Sequence, residues 1–177
     1  MLIAILSAAV GAATPLLFAT IGEIYTEKSG NLNLGVEGMM IMGAVIGFSA
    51  GFESGNATLA MFGAMMAGAI GAAIYAVLTI TLRANQVVTG LALTIFGTGF
   101  ASFVGKNYVG MSAPESVREV FRTMHIPILS DLPVVGDIFF KQNIFVYIGY
   151  LLVLATLFYF KKTRWGLNLR AVGEGAA

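Results

Sequence analysis

Long runs of apolar residues constrain the fold of this chain more than any other feature of its sequence. Crossing the hydrocarbon core of a bilayer takes about 20 mainly apolar residues in a helix. Five stretches meet this requirement, at residues 2–25, 34–52, 57–82, 87–104 and 144–160. Only 11% of the residues are charged and the mean hydropathy is +0.86, whereas a soluble domain carries about 25% charged residues. The sequence therefore predicts an all-α fold, a polytopic transmembrane helical bundle that forms one domain over residues 1–177.

Positively charged residues predict the orientation of the bundle. The densest basic cluster lies at residues 161–164, immediately after the fifth apolar stretch. Such clusters stay on the cytoplasmic side of a membrane. Alternation of the spans then puts Lys28 and Arg83 on that side as well, and residues 106–143 on the other. We expect an extracytoplasmic loop over 106–143 and a cytoplasmic segment over 161–177.

The predicted outer loop contains one helical pattern of its own. Ser112 is suited to a helix N-cap, Pro114 to the first turn, and Glu115 follows the serine by three residues. Apolar residues then recur at helical spacing, at Val117, Val120, Phe121 and Met124. This pattern predicts a short amphipathic helix on the outer surface of the bundle.

Small residues recur every four positions in three of the apolar stretches. The three rows are Gly43, Gly47 and Gly51; Ala60, Ala64, Gly68, Ala72 and Ala76; and Gly97, Ala101 and Gly105. Rows of this kind let the backbones of membrane helices approach closely. We expect the spans to pack tightly through them.

The sequence contains no pattern typical of an enzyme active site. There is no cysteine, and the single histidine, His125, lies in the predicted outer loop without metal-ligand spacing around it. The stretch GFASFVGKN departs from a phosphate-binding loop in its glycine spacing and in having Asn107 where Ser or Thr is required. We therefore expect neither catalysis, nor a metal, nor a cofactor in this chain.

Polar residues gather where the second span begins, in the stretch EKSGNLNLGVEGMM at residues 27–40. Non-helical backbone at membrane depth is tolerated only inside protein or beside water, and transporters use such breaks to bind their cargo. This interpretation puts Asn31, Asn33 and Glu37 in a substrate path. The alternative is that Asn33 caps the helix and Glu37 occupies its first turn. Both interpretations stay open.

A second polar stretch, RANQVVTG, separates the third span from the fourth. Asn85, Gln86 and Thr89 either form a polar turn between helices on the cytoplasmic side or line the path near its inner gate. We include all three in the hypothetical substrate path.

Three segments of the chain resemble permease subunits of bacterial ABC importers. They are TPLLFATIGEIYTEKSGNLNLGVEGMMIMGA, RANQVVTGLALTIFGTGFASF and KKTRWGLNLRAVGE. The resemblance is to the branch that handles nucleosides and simple sugars, related to the ribose and branched-chain amino acid permeases. It implies a transport subunit of the bacterial cytoplasmic membrane that works with ATP-binding cassette ATPase subunits, a second permease subunit and an extracytoplasmic substrate-binding protein. ATP would be bound by the partner subunits.

The resemblance also assigns a role to the carboxyl-terminal segment. Six of its residues match the cytoplasmic coupling loop that the ATPase contacts in this family: Arg164, Gly166, Leu167, Arg170, Gly173 and Glu174. Family members continue beyond this loop through several further helices, so we expect the chain to correspond to the amino-terminal part of a permease. The residues alone leave other classes open, namely an ion-coupled carrier or channel with Glu23 and Glu37 as coupling carboxylates, and a non-transporting assembly protein.

Overall fold

A computed structural model describes residues 1–127, 129–130 and 132–175 of the chain. This part of the chain is helical and contains no β-strand. Its helices are α1 (Leu2–Lys28), α2 (Val36–Ser54), α3 (Ala57–Ala76), α4 (Gln86–Gly105), α5 (Glu115–Arg118), α6 (Ile144–Lys162) and α7 (Arg164–Glu174). A π-helical turn, Val77–Thr81, extends α3, and a 3₁₀ turn, Lys106–Tyr108, extends α4. A further 3₁₀ turn, Glu119–Phe121, follows α5, and a π-helical turn, Gly136–Phe140, precedes α6.

Five of these helices are long and apolar enough to cross a membrane. With their extensions they cover Leu2–Lys28, Val36–Ser54, Ala57–Thr81, Gln86–Tyr108 and Ile144–Lys162. The boundaries lie within a few residues of those predicted from the sequence. The predicted fold class, an all-α transmembrane bundle with five spans, is therefore confirmed.

The helices belong to two compact units. One unit is Gly30–Arg118 and contains α2, α3, α4 and α5. The other combines Met1–Ser29 with Glu119–Ala177 and contains α1, α6 and α7. Each unit is described on its own below.

In the Gly30–Arg118 unit, α2 packs against α3 through the predicted small residues. A Cβ added to Gly47 would lie 2.9 Å from the Cβ of Ala64, and one added to Gly51 would lie 2.9 Å from the Cβ of Ala60. A side chain on either glycine would therefore push the two helices apart. The α3 row contributes over only part of its length, since a Cβ on Gly68 would meet nothing within 4 Å.

The closest approach in this unit lies between α2 and α4. A Cβ on Gly97 would lie 2.6 Å from the Cα of Gly38, and one on Gly38 would lie 2.7 Å from the Cα of Thr94. The two backbones are therefore in direct contact. Gly97 belongs to a predicted row of small residues, whereas Gly38 belongs to none of the three rows.

The amphipathic helix predicted after Ser112 is shorter than expected. It covers only Glu115–Arg118 and gives way to the 3₁₀ turn Glu119–Phe121. The single turn of α5 is held by two of its residues. Val117 is buried against Gly51, and the Ser116 hydroxyl donates to the Gly55 carbonyl at 2.6 Å. Because these contacts already hold the first turn, and because the chain passes to the other unit after Arg118, the apolar residues beyond it do not continue the same face.

In the other unit, a buried glutamine connects α1 to the segment before α6. The side chain of Gln142 is 4% exposed. Its Nε2 donates to the Ser7 carbonyl at 2.9 Å and to the Ile138 carbonyl at 2.8 Å. These bonds satisfy a polar group that would be costly to bury alone.

The contact between α2 and α4 yields a test of the packing. We expect Gly97→Ala to lower the free energy of unfolding by about 1–3 kcal/mol, because the new methyl group overlaps the Gly38 backbone and the helices must separate. Gly99→Ala is the matched control, since a Cβ there meets nothing within 4 Å. Thermal unfolding of the detergent-purified variants measures the difference. Equal melting temperatures for the two variants would show that the helices do not touch at Gly38.

Candidate functional site

The segment between α1 and α2 is non-helical over residues 29–35 and runs beside membrane-spanning helices. Its turn contains Gly30 with a positive φ of 89°. Within the Gly30–Arg118 unit, side chains of α3 and α4 replace the hydrogen bonds that a helix would have supplied. We call residues 31–35 the polar break.

Three side chains pair with the backbone of the polar break. The Gln86 Oε1 accepts from the Leu32 N–H at 2.8 Å. The Tyr75 hydroxyl donates to the Leu32 carbonyl at 2.6 Å, and the Thr94 hydroxyl donates to the Leu34 carbonyl at 3.0 Å. A peptide group left unpaired in an apolar environment costs several kcal/mol, on the order of 2–7, so these bonds allow the chain to leave the helix here.

Two residues assigned to the substrate path from the sequence meet at this break. The Gln86 Nε2 donates to the Asn31 Oδ1 at 3.1 Å, and both side chains are half-buried. Sequence reasoning missed Tyr75 and Thr94, which are the other supports. The available signal was a hydroxyl on an apolar helix, but nothing local indicates that the hydroxyl faces a distant carbonyl.

The backbone of the break lies directly on α4. A Cβ on Gly90 would lie 2.9 Å from the Leu34 nitrogen, and one on Gly35 would lie 3.0 Å from the Leu93 Cδ2. A side chain at position 90 would overlap the backbone of the break, and one at position 35 would crowd Leu93. The polar break and the first turns of α4 pack as one surface.

The other two path residues of the first polar stretch, Asn33 and Glu37, differ in burial. Asn33 is buried, and its Oδ1 accepts from the Gly35 N–H at 3.0 Å, one residue ahead of α2. The Asn33 Nδ2 donates to the Met39 Sδ in the first turn of α2 at 3.9 Å. The N-cap position itself is Gly35, and no side chain caps the helix there. Glu37 is exposed in that first turn.

Asn85 and Thr89 have separate positions at the start of α4. Asn85 is exposed and caps the helix, since its Oδ1 accepts from the Val88 N–H at 3.1 Å. Thr89 is buried and lines an apolar cavity of about 420 Å³ together with Leu78, Leu93 and Phe96. Of the six path residues, the structure thus brings Asn31 and Gln86 into direct contact.

A sharp corner joins α6 to α7 in the other unit. The Thr163 hydroxyl donates to the Tyr159 carbonyl at 2.7 Å, and its oxygen accepts from the Gly166 N–H at 3.1 Å. Gly166 is buried against the Tyr159 carbonyl and the Phe160 Cα, so it has no room for a Cβ. A threonine cap and a glycine therefore end the fifth span and begin a separate helix.

The short helix α7 has two distinct faces. Gly166, Arg170 and Gly173 lie on its more buried side, and the Arg170 Nε is buried without a hydrogen-bond partner among the described residues. Three large apolar side chains of the helix are exposed, Trp165 at 78%, Leu167 at 48% and Val172 at 64%. Trp165 and Val172 are seven residues apart and share one side of the helix, whereas Leu167, two residues after Trp165, lies on another side. We call Trp165 and Val172 the α7 apolar face.

The corner also packs against the end of α1. The ring of Tyr25 lies 5.3 Å from that of Tyr159 and 5.0 Å from that of Phe160, measured between centroids. Aromatic pairs at this spacing are favourable beyond their burial.

Within the described residues, no group of His, Cys, Asp or Glu side chains is arranged to hold a metal ion.

Exchange of backbone amides tests the polar break. We expect Gln86→Leu to raise the exchange rate of the Leu32 amide about tenfold or more, because the lost side-chain bonds cost about 1–3 kcal/mol and the break opens more often. Hydrogen–deuterium exchange of the 30–35 peptide in detergent measures this. Ser102→Ala, which removes only a hydroxyl bond within α4 to the Thr98 carbonyl, should leave the rate unchanged. A Gln86→Leu variant with wild-type exchange would contradict the described support of the break.

Comparison with known proteins agrees with this architecture. Residues 5–176 match the family described as branched-chain amino acid transport system, permease component. A protein of Haloferax volcanii, provisionally named a glucose ABC transporter permease protein, is 41% identical over 96% of this chain and 51% of its own length. The guanosine ABC transporter permease protein of Bacillus subtilis is 35% identical over 92% of this chain and 53% of its own length. The nucleoside ABC transporter permease protein of Lactococcus lactis is 34% identical over 91% of this chain and 53% of its own length.

The chain thus spans about half the length of these relatives. No solved structure matched it significantly. The family match covers almost the whole chain. The five apolar helices of the chain are those of a multi-pass membrane protein. The chain therefore belongs to the permease family of branched-chain amino acid transport systems.

Proposed function

We propose that this chain is a transmembrane permease subunit of an ATP-binding cassette importer that moves nucleosides or simple sugars across a bacterial cytoplasmic membrane. The names of the relatives support this function over the ion-coupled carrier, since three of them are ABC transporter permeases for glucose, guanosine or nucleosides. The observation that carries the proposal is α7, an amphipathic helix set apart from the last span by the Thr163 corner.

The α7 apolar face is the surface that we assign to an ATPase subunit. A helix that exposes Trp165 and Val172 on one side leaves an apolar patch in water unless a protein covers it, and aromatic anchors dominate such contacts. Arg164 and Glu174 are exposed at the two ends of the same helix and would form the polar rim. Gly166 lets the opposite face lie close to the end of α6.

The corner makes α7 able to transmit movement. Thr163 and Gly166 tie α7 to the end of α6, and Tyr25 ties the end of α1 to the same place. A displacement of α7 by ATP-driven closure of two partner ATPases would therefore move two spans together. Alternating access would follow as the bundle opens to one side of the membrane at a time, with ATP bound and hydrolysed only in the partner subunits.

The polar break is the part of the substrate path that this chain would contribute. It presents backbone and amide groups, including Asn31 and Gln86, in a span that is otherwise apolar. The exposed carboxylate of Glu37 follows it at the start of α2. Cargo rich in hydroxyl or amide groups needs such partners when it leaves water. A second permease subunit would complete the path, and an extracytoplasmic substrate-binding protein would deliver the cargo.

Substitutions on the α7 apolar face test the assignment of the ATPase contact. We expect Val172→Glu and Trp165→Ala each to lower co-purification of the ATPase subunit at least tenfold, because they remove exposed apolar contacts of the kind that dominate interfaces. Deletion of residues 166–174 should abolish it. Met124→Glu is the matched control, since Met124 is 48% exposed in the predicted outer loop. Unchanged association of the α7 variants would remove α7 from the interface.

The carboxylate of Glu37 provides a test of the path. We expect Glu37→Gln to lower the uptake of the transported solute severalfold, because the substitution removes the carboxylate charge from the path. Membrane abundance should be unchanged, because the side chain is exposed and glutamine has nearly the same shape as glutamate. Glu27→Gln, an exposed carboxylate at the end of α1, should transport like the wild type. The measurement is initial uptake of radiolabelled nucleoside or sugar by intact cells. Normal uptake by Glu37→Gln would place Glu37 outside the path.

A further inference from the structure

A second cavity, of about 290 Å³, lies within the unit formed by α1, α6 and α7. It is lined by one side of α1 around Phe18, by the 3₁₀ turn at Phe121, and by the start of α6 at Phe145. The rings of Phe121 and Phe145 are stacked, with centroids 5.0 Å apart and planes 28° from parallel. None of these residues belongs to the polar break or to α7.

The cavity has few polar atoms, and they come from the interior of α1 around Pro15 and from the N-cap of α6. Pro15 lies inside α1 and, having no N–H, cannot donate to the carbonyl of Gly11 four residues earlier. Gly11 and Pro15 both line the cavity. This leaves a backbone acceptor without its helical donor on the α1 side.

The α6 side of the cavity offers hydrogen-bond donors. The Asn143 Oδ1 caps α6 by accepting from the Phe145 N–H at 3.0 Å and the Val146 N–H at 3.3 Å. Its amide nitrogen, which carries two donors, is not used in that cap. Thr14 donates its own hydroxyl to the Val10 carbonyl at 3.0 Å, so its oxygen is available only as an acceptor.

This combination suits a flat heteroaromatic ring better than a sugar. A nucleobase has two apolar faces, which stack on aromatic side chains, and its donors and acceptors lie along one edge. A monosaccharide carries hydroxyl groups around its whole circumference, and each one buried without a partner costs about 1–3 kcal/mol. A lining with three phenylalanine rings and few polar atoms would leave most of these hydroxyl groups unpaired. The volume, near the lower limit of ligand cavities, also fits a base better than a larger molecule.

We propose that this cavity is a binding site for the base of a nucleoside. Phe18, Phe121 and Phe145 would contact the faces of the ring, while Asn143 and the Gly11 carbonyl would bind its polar edge. The inference rests on the proposed importer function and narrows its cargo from nucleosides or simple sugars to nucleosides. The ribose would stay outside the aromatic lining, where its hydroxyl groups keep other partners.

Photolabelling with 8-azidoguanosine tests this site on the intact, detergent-purified chain. We expect labelled peptides from residues 11–18, 121 and 143–145, with labelling suppressed by excess guanosine and unaffected by excess ribose or glucose. Phe18→Ala should weaken the guanosine competition about tenfold, since it removes one stacking face, while Phe18→Tyr should retain it. Phe158→Ala is the control, because Phe158 is 63% exposed on α6 and does not line the cavity. Thermal unfolding shows that each variant is folded.

The outcomes separate this site from the importer function. Nucleoside uptake by cells, combined with labelling that maps outside the cavity, would overturn the site and leave the importer intact. Labelling in the cavity that guanosine does not suppress would mark an apolar crevice and overturn the site as well. Suppression by ribose as strongly as by guanosine would replace the nucleobase with a sugar. Loss of ATPase association in the α7 variants tests the importer function independently of all three.

Discussion

Every peptide group in the hydrocarbon interior of a membrane needs a hydrogen-bond partner from the protein itself, because water is absent there. The spans satisfy most of this requirement through their own helical hydrogen bonds. The polar break before α2 satisfies it differently, through Gln86, Tyr75 and Thr94 of the neighbouring helices. The break is thereby fastened to α3 and α4, and the polar groups that could bind a cargo cannot move independently of those helices.

Small residues make that arrangement possible. Gly90 lets the backbone of the break lie on α4, and the contact between Gly38 and Gly97 brings α2 onto the same helix. Lipid supplies no hydrophobic force for helix association, so close van der Waals packing has to supply it. In this chain the same glycines that stabilise the bundle also hold the candidate substrate path in shape, which links its stability directly to its proposed function.

Hydropathy was sufficient to predict the five spans, because a bilayer requires each of them to be long and apolar whatever the other helices do. The supports of the polar break depended on contacts far apart in sequence, such as the one between Tyr75 and Leu32, so only the local polar residues Asn31 and Gln86 were identified. The loop helix was predicted too long because its periodicity does not reveal where the chain leaves one unit for the other. The corner between α6 and α7 is formed by residues that are close in sequence. The basic and glycine residues around it were therefore enough to predict a separate segment.

The central claim is that α7 lies on the cytoplasmic side, where a nucleotide-driven subunit can contact it. The chain contains no cysteine, so one engineered thiol reports on one position. Trp165→Cys, at a site that is 78% exposed, should resist a membrane-impermeant maleimide in intact cells and react once the membrane is permeabilised, while Met124→Cys should react in both conditions. Reaction of the thiol at position 165 in intact cells would put α7 outside the membrane, beyond the reach of any cytoplasmic ATPase, and would contradict the account.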